Sequence, residues 1–318
     1  MKPRHLIALI CVALYAGDAM SATVAPPPWA YPINPPAAAR TSVTNDPVHV
    51  PDSQSSFLPT QLADLFNVAD WHPQDHPVMP SIVAHGRKPA LFACGYCHLA
   101  NGAGRPENAN LAALPFSYIV QQIAAFKSGM RGNRVVERLP AQFMISIAKA
   151  ATDAEIRVAA KYFSSLPPQT RVSVVETAIV PHTHVDGWSL AVDKSSPQEP
   201  IGRRIIELAR DRDQFENRDD RTEYIAYVPA GSLIAGKNLV KTGGAGTPAC
   251  VDCHGADLRG SAIGPRIAGR SPSYVMRQLV DIQSGFRSGP SLAPMQEVVK
   301  HLSEADMISI AAYVATLR

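Results

Sequence analysis

Cysteine is scarce in this chain. Five occur in 318 residues, too few for the disulfide framework that staples small secreted scaffolds. Charge of one sign is also missing: 30 Lys and Arg stand against 27 Asp and Glu, a formal net charge of +3. With no basic tract, nothing suggests nucleic acid as a partner, and the net charge identifies no other. Long hydrophobic runs are absent too. The run from Leu6 to Ala16 falls short of the roughly 20 residues that span a bilayer. With Lys2, Arg4 and His5 before it and the small residues Ser21-Ala22 after it, residues 1–22 read as a secretory signal peptide. Retention as a membrane anchor is the alternative. The fifth cysteine, Cys11, lies inside this segment.

The four remaining cysteines sit in two copies of one motif. Cys94-Gly95-Tyr96-Cys97-His98 and Cys250-Val251-Asp252-Cys253-His254 are both C-x-x-C-H, the attachment pattern of c-type haem. In that chemistry the two thiols add across the haem vinyl groups and the adjacent histidine becomes the fifth ligand to iron. Two copies predict two covalently attached haem c groups, with His98 and His254 as metal ligands. A zinc reading would use Cys94 and Cys97 with separate partners, and no spare cysteines exist to complete it. A thioredoxin-like C-x-x-C explains neither the duplication nor the following histidine. Export fits as well, because bacteria attach haem to this motif outside the inner membrane. The propionates would bring the holoprotein close to neutral or acidic.

An internal repeat organises the rest. Tyr118-Ile119-Val120-Gln121-Gln122-Ile123 matches Tyr274-Val275-Met276-Arg277-Gln278-Leu279, and Gly129-Met130-Arg131 matches Gly285-Phe286-Arg287. Each pattern predicts a helix ending at glycine. Thr152 with Glu155, and Ser303 with Asp306, then predict capping boxes opening a last amphipathic helix in each unit. Those helices should end near Leu166 and Leu317. The domains read as a Pro-rich, extended or disordered leader at 23–57, a first unit at 58–168, a linker or insertion at 169–231 and a second unit at 232–318. A helix is expected from Met79-Pro80 into the first motif. The insertion should hold strands around 171–179 and 224–228 and a short element around 200–208. Asp211 to Arg221 reads as a solvated turn.

The sixth iron ligand must come from the downstream part of each unit. Methionine thioether favours ferrous iron and raises the potential. Met130 and Met144 are the candidates in unit one, Met295 and Met307 in unit two. Met144 and Met295 each precede the helix cap by eight residues, which favours that pair; Pro294-Met295 suggests a rigid loop. Unit one has thirteen residues from Arg131 to Met144 against eight from Arg287 to Met295, so its ligand loop should be longer and more mobile. Pro265 can place a carbonyl near His254 Nδ1; the aligned Asn108-Ala109 suggests that His98 is held differently. Tyr118, Tyr274, Arg131 and Arg287 are candidates for lining haem or pairing with propionate. His182 and His184 invite a metal assignment but lack further ligands nearby in sequence. Trp188, Tyr224 and Tyr227 read as packing or partner-binding residues of the insertion.

Each unit resembles a class I cytochrome c domain, and the pair resembles the dihaem cytochrome c4 family. Beyond the two C-x-x-C-H motifs, the resemblance rests on Ala268-Gly269-Arg270, Tyr274, Gln278-Leu279, Gly285-Phe286-Arg287 and Met295. In unit one Tyr118, Gln122-Ile123, Gly129-Met130-Arg131 and Met144 carry it. It implies a mainly α fold, His/Met-ligated iron and electron transfer in the periplasm. Redox protein partners are expected, and a place in a membrane-associated oxidoreductase complex, respiratory-chain or dehydrogenase, stays open. The leader and the long, partly irregular insertion depart from compact members. The leading expectation is an electron carrier or an electron-accepting subunit rather than an enzyme. A catalytic dihaem enzyme, either a peroxidase or a sulfur-compound dehydrogenase, is the alternative; it would need a displaceable sixth ligand. A third reading makes the insertion a scaffold and the haem structural.

Overall fold

The computed structural model describes residues 25–33, 45–244 and 246–318. The expected signal segment, with Cys11, lies outside them. The fold is mainly α, and among the described residues no helix is long and apolar enough to cross a membrane.

The first unit carries α1 (Pro59–Leu62), α2 (Ser81–Ala84), α3 (Cys94–His98), α4 (Phe116–Ser128), α5 (Leu139–Ala150) and α6 (Asp153–Ser165). The insertion follows with β1 (Val172–Glu176), β2 (Ile179–Val180), β3 (Thr183–Asp186), β4 (Ser189–Val192), β5 (Glu199–Pro200), β6 (Ile206–Ala209), α7 (Arg212–Glu216) and β7 (Tyr224–Val228). The second unit holds α8 (Ser232–Thr242), α9 (Cys250–His254), α10 (Pro272–Gln283), α11 (Ala293–Val299) and α12 (Glu304–Thr316).

Local sequence signals explain the helix ends. Thr152 Oγ1 accepts the Glu155 amide while Glu155 accepts the Thr152 amide, and Ser303 and Asp306 repeat the arrangement. These reciprocal boxes satisfy N–H groups that the first helical turn leaves bare. As expected, α6 and α12 end at Leu166 and Leu317. Gly129 caps α4 at φ +80°, and Gly285 turns out of α10 at +79°.

The expected continuous helix into the first motif does not form. The α2 helix has only 4 residues. Gly86 turns the chain at φ +61°, and a Cβ there would lie 2.2 Å from the Leu91 carbonyl oxygen. Arg87 and Leu91 then pair their backbones. The second unit has an 11-residue α8 instead. It crosses α12 at Gly236, where a Cβ would lie 1.9 Å from Ser309 O, so the missing side chain is what lets the two backbones meet.

Ile82, Val83, Leu91, Ile119, Phe163 and Leu166 form the core of unit one. That of unit two joins Val240, Met276, Leu279, Met307, Ile308 and Val314. The same cluster takes in Ile205, Ala226 and Val228 from the insertion. Strand β7 lies between β1, parallel to it, and β6, antiparallel; β1 and β7 contact α12. The insertion is therefore built onto unit two.

Its other end grips unit one, which corrects the solvated-turn expectation for 211–221. This stretch contains α7, and Phe215, Asp219 and Asp220 are buried. Arg218 lies over the Tyr96 ring at 3.7 Å and donates to Tyr96 O at 3.1 Å. Asn101 Nδ2 donates to Asp220 O at 2.8 Å. Trp71 Nε1 donates to Asn217 O at 2.8 Å.

Within the leader, residues 28–31 are docked rather than extended into solvent. Pro28–Ala30 form a 3-10 turn, and Tyr31 is buried with its hydroxyl donating to Asp281 Oδ1 at 2.9 Å. Arg277 Nη1 donates to Ala30 O at 2.9 Å.

Candidate functional site

Each C-x-x-C-H motif forms a five-residue helix, α3 or α9, entered from an alanine. On a helix, positions three and four apart share a face, so both cysteines and the histidine of each motif are grouped together. The chain leaves α3 at Leu99 with φ +65° and ψ 160°, and α9 at Gly255 with φ +84° and ψ 155°. The exits match, although Leu99 occupies a region that costs a non-glycine residue roughly 1–3 kcal/mol. After each exit the histidine's own carbonyl accepts a glycine amide: Gly104 N to His98 O at 3.0 Å, and Gly260 N to His254 O at 2.9 Å.

Both imidazoles are anchored in the same way. His254 Nδ1 donates to Pro265 O at 2.7 Å, and His98 Nδ1 donates to Ala109 O at 2.8 Å. The carbonyl expected from Pro265 is in place. The expectation that His98 is held differently is not met: Ala109 supplies the same contact. What differs is the adjacent position. A Cβ on Gly264 would lie 2.5 Å from Cys253 O and 3.0 Å from His254 Nδ1. In unit one the aligned Asn108 donates its Nδ2 to Cys97 O at 3.1 Å, whereas in unit two Ser261 Oγ donates to Cys253 O at 2.5 Å.

Burial, with the nearby Arg131 charge for His98 and the Arg287 charge for His254, holds both histidines below their ordinary pKa, and among the described residues neither Nε2 has a hydrogen-bond partner. Burial pushes the Cys94 thiol up to about 12 and Cys250 up to about 11. All four motif cysteines are free of disulfides.

The candidate methionines separate by position. Met307 is 0% exposed in the core of unit two, and Met130 is exposed beside Gly289. Met144 and Met295 are half-buried. Both lie within helices, α5 and α11, which corrects the loop expected around Met295. The longer segment before Met144 is tied down rather than free. Asn133 Nδ2 donates to Arg138 O at 3.1 Å, Val135 N donates to Asn133 Oδ1 at 3.0 Å, and Arg134 N reaches Asp281 Oδ1 of the second unit at 3.2 Å.

Tyr118, Tyr274, Arg131 and Arg287 come together where the units meet. Arg131 Nη1 donates to Gln122 Oε1 of its own unit at 2.8 Å; its Nη2 donates to Tyr274 OH at 2.9 Å and Gln278 Oε1 at 3.1 Å. Arg287 repeats the pattern in reverse, to Gln278 at 3.0 Å, Tyr118 at 2.8 Å and Gln122 at 2.9 Å. The two arginines also form a backbone bridge, with Gly132 N to Phe286 O and Ser288 N to Met130 O both at 2.7 Å.

Two further arginines of the second unit cross to the first. Arg270 donates to Asn110 O and Arg277 to Pro106 O. Neither contact had a local signal: Arg277 lies on α10, where a charged residue ordinarily faces water, and Arg270 lies in the loop before it. His184 lies on β3, and His182 stands 3.5 Å from Asp193.

The Cytochrome c family profile matches residues 234–318. Over 230 residues the chain is 25% identical to a thiosulfate dehydrogenase electron acceptor of Thiomonas intermedia (strain K12), covering 71% of this chain and 79% of that protein. It is 33% identical over 97 residues to cytochrome c-554(547) of Halothiobacillus neapolitanus, covering 28% of this chain and 100% of that protein. It is also 29% identical over 139 residues to cytochrome c4 of Azotobacter vinelandii, covering 39% of this chain and 66% of that protein.

Proposed function

The chain belongs to the cytochrome c family and is cytochrome c4-like; on that premise we propose that it is a periplasmic dihaem c-type cytochrome passing single electrons between redox partners. The observation that carries the reading is the matched pair of motifs, each with its histidine Nδ1 fixed on a carbonyl and its Nε2 without a hydrogen-bond partner among the described residues.

The residues present fit covalent haem. Cys94 and Cys97, and Cys250 and Cys253, supply the thiols, and His98 and His254 supply the iron nitrogens. The orienting carbonyls of Ala109 and Pro265 fix tautomer and ring plane. Arg131, Arg270, Arg277 and Arg287 are all buried, yet none takes part in an ion pair among the described residues. Arg287 Nε and Arg270 Nη2 have no hydrogen-bond partner. Burial pulls Arg270 down to about 10, so it still carries charge at neutral pH, and holds Arg131 below its usual value. Buried cations with spare N–H groups suit anionic propionates. Met144 and Met295 would each supply a second ligand to iron in their units. Bound haem supplies reversible one-electron chemistry at iron. The protein's part is to hold donors in place, exclude water and join the units through the Arg131–Tyr274 and Arg287–Tyr118 contacts.

The likeness to the Thiomonas protein supports a dehydrogenase as electron donor, and the signal-like residues 1–22 support a periplasmic location. The test is a pyridine haemochrome assay with a redox titration on protein matured in a bacterial periplasm. Two haems per chain, two one-electron steps and a near-infrared methionine–ferric iron band for each are expected. One haem per chain, or turnover of a sulfur compound or peroxide at a haem lacking that band, overturns the carrier reading.

A further inference from the structure

We propose that His72, Asp219 and Asp220 form a structural site for a first-row divalent cation of the Zn²⁺ type. One ligand atom from each residue can be chosen so that all lie within 4.8 Å of one another. The three residues are 0%, 1% and 4% exposed, which places two carboxylates and an imidazole together away from water.

Their hydrogen bonding is incomplete in a way that points to a cation. Asp219 is supported: Oδ1 accepts from Arg221 N at 2.8 Å and lies 3.1 Å from His72 Nε2, and Oδ2 accepts from Gln214 Nε2 at 3.0 Å. Among the described residues neither carboxylate oxygen of Asp220 has a partner, and neither does His72 Nδ1. Protonating Asp220 would not repair this, because no acceptor meets either oxygen. A buried, unpaired carboxylate is strongly unfavourable, and a divalent ion removes that cost for Asp220.

Neighbouring cations make their hydrogen bonds elsewhere: His76 Nε2 with Asp70 Oδ1 at 3.1 Å, and Arg171 Nη2 to Gln169 Oε1 at 3.4 Å. Arg221 is bound through Nε and Nη2 to Asp75 at 2.7 and 2.8 Å. Arg218 is held on the Tyr96 ring and carbonyl. One imidazole with two carboxylates is a donor set for zinc and its neighbours, whereas Ca²⁺ and Mg²⁺ favour oxygen-only shells.

The location gives the ion a purpose. His72 follows the leader, Asp219 and Asp220 belong to the insertion, and Asn101 of unit one holds the Asp220 carbonyl just beyond His98. An ion here would clamp the insertion onto the first C-x-x-C-H unit. It is separate from both haem motifs, so the haem reading can fail without this one failing.

The experiment uses the full haem-loaded chain. Metal content is measured beside iron, the protein is stripped with a chelator, and Zn²⁺ alone is titrated back by calorimetry. One Zn²⁺ per chain is expected, with a rise in Tm of roughly 5 °C or more at saturating metal. Asp220→Asn and His72→Gln should weaken binding beyond the roughly 10–100-fold cost of losing an outer partner, with the haem spectrum unchanged. His184→Gln should bind as the parent does. If the aspartate variant fails to fold, the stripped and reloaded parent decides alone. No Zn²⁺-dependent Tm shift in the parent, or full affinity in a folded Asp220→Asn protein, overturns the proposal.

Discussion

Arg131 of the first unit donates its Nη2 to the Tyr274 hydroxyl of the second at 2.9 Å. Arg287 returns the contact to Tyr118, and Gln122 and Gln278 each accept from both arginines. The two units thus exchange equivalent side chains across a local pseudo-two-fold. In a buried setting such charge-assisted bonds hold more strongly than neutral ones.

Tyr274→Phe removes one of these bonds while leaving Arg131 on Gln122 and Gln278. A loss of about 1–3 kcal/mol in denaturant unfolding is expected, the range for hydrogen bonds to charged groups. A double-mutant cycle with Tyr118→Phe should show coupling, because the pairs share both glutamines; simple additivity would mean that the network is two independent contacts.

Gly264→Ala puts a methyl group against the Cys253 carbonyl and the His254 ring. Spectroelectrochemistry should show one of the two redox steps moving while the other, from the Cys94–His98 unit, keeps its potential. Movement of both or neither would contradict this local assignment.

The methionine assignments predict three distinct outcomes. Met144→Ala and Met295→Ala should each abolish one near-infrared band and lower one potential, since thioether ligation raises it. Met307→Ala should preserve both bands and cost about 2–5 kcal/mol as a core truncation. Met130→Ala should preserve both bands and leave stability nearly unchanged, because Met130 is exposed.

Gly236→Ala forces a Cβ onto Ser309 O and should destabilise the α8–α12 crossing by about 1–3 kcal/mol or more, as overpacking does. Differential scanning calorimetry would read it as a lower-melting second unit.

Glu155 provides a pH test. The Arg87 contact, then the Thr152 amide, hold its carboxyl down to about 2 from the ordinary 4.5. A group depressed in the folded state stabilises fully above its unfolded pKa, and that contribution fades as pH falls from about 4.5 towards 2. Glu155→Gln should therefore flatten the stability profile in that window and lower stability at pH 7. The partner Arg87 is half exposed, so added salt should shrink the effect.

Much of this was readable locally. The capping boxes at Thr152 and Ser303 and the glycine turns at Gly129 and Gly285 depend on residues a few positions apart, so their signals survive in one dimension. The helix misassigned after Met79 failed because one left-handed glycine, Gly86, outweighs an apolar pattern once the chain must turn back at Leu91. The 211–221 stretch failed differently: its charges mimic a solvated turn, yet Asp219 and Asp220 are buried against unit one.

The sequence by itself determined the two C-x-x-C-H motifs, the repeat that surrounds them and the capped terminal helices, because covalent chemistry and helical periodicity are local. Only the tertiary structure decided that Arg131 meets Tyr274, that Ala109 serves His98 as Pro265 serves His254, and that the insertion braces both units. It also brought His72 to Asp219 across 147 positions of chain. Such contacts are chosen by burial and by the need of each buried polar group for a partner, and no short window of residues carries that information.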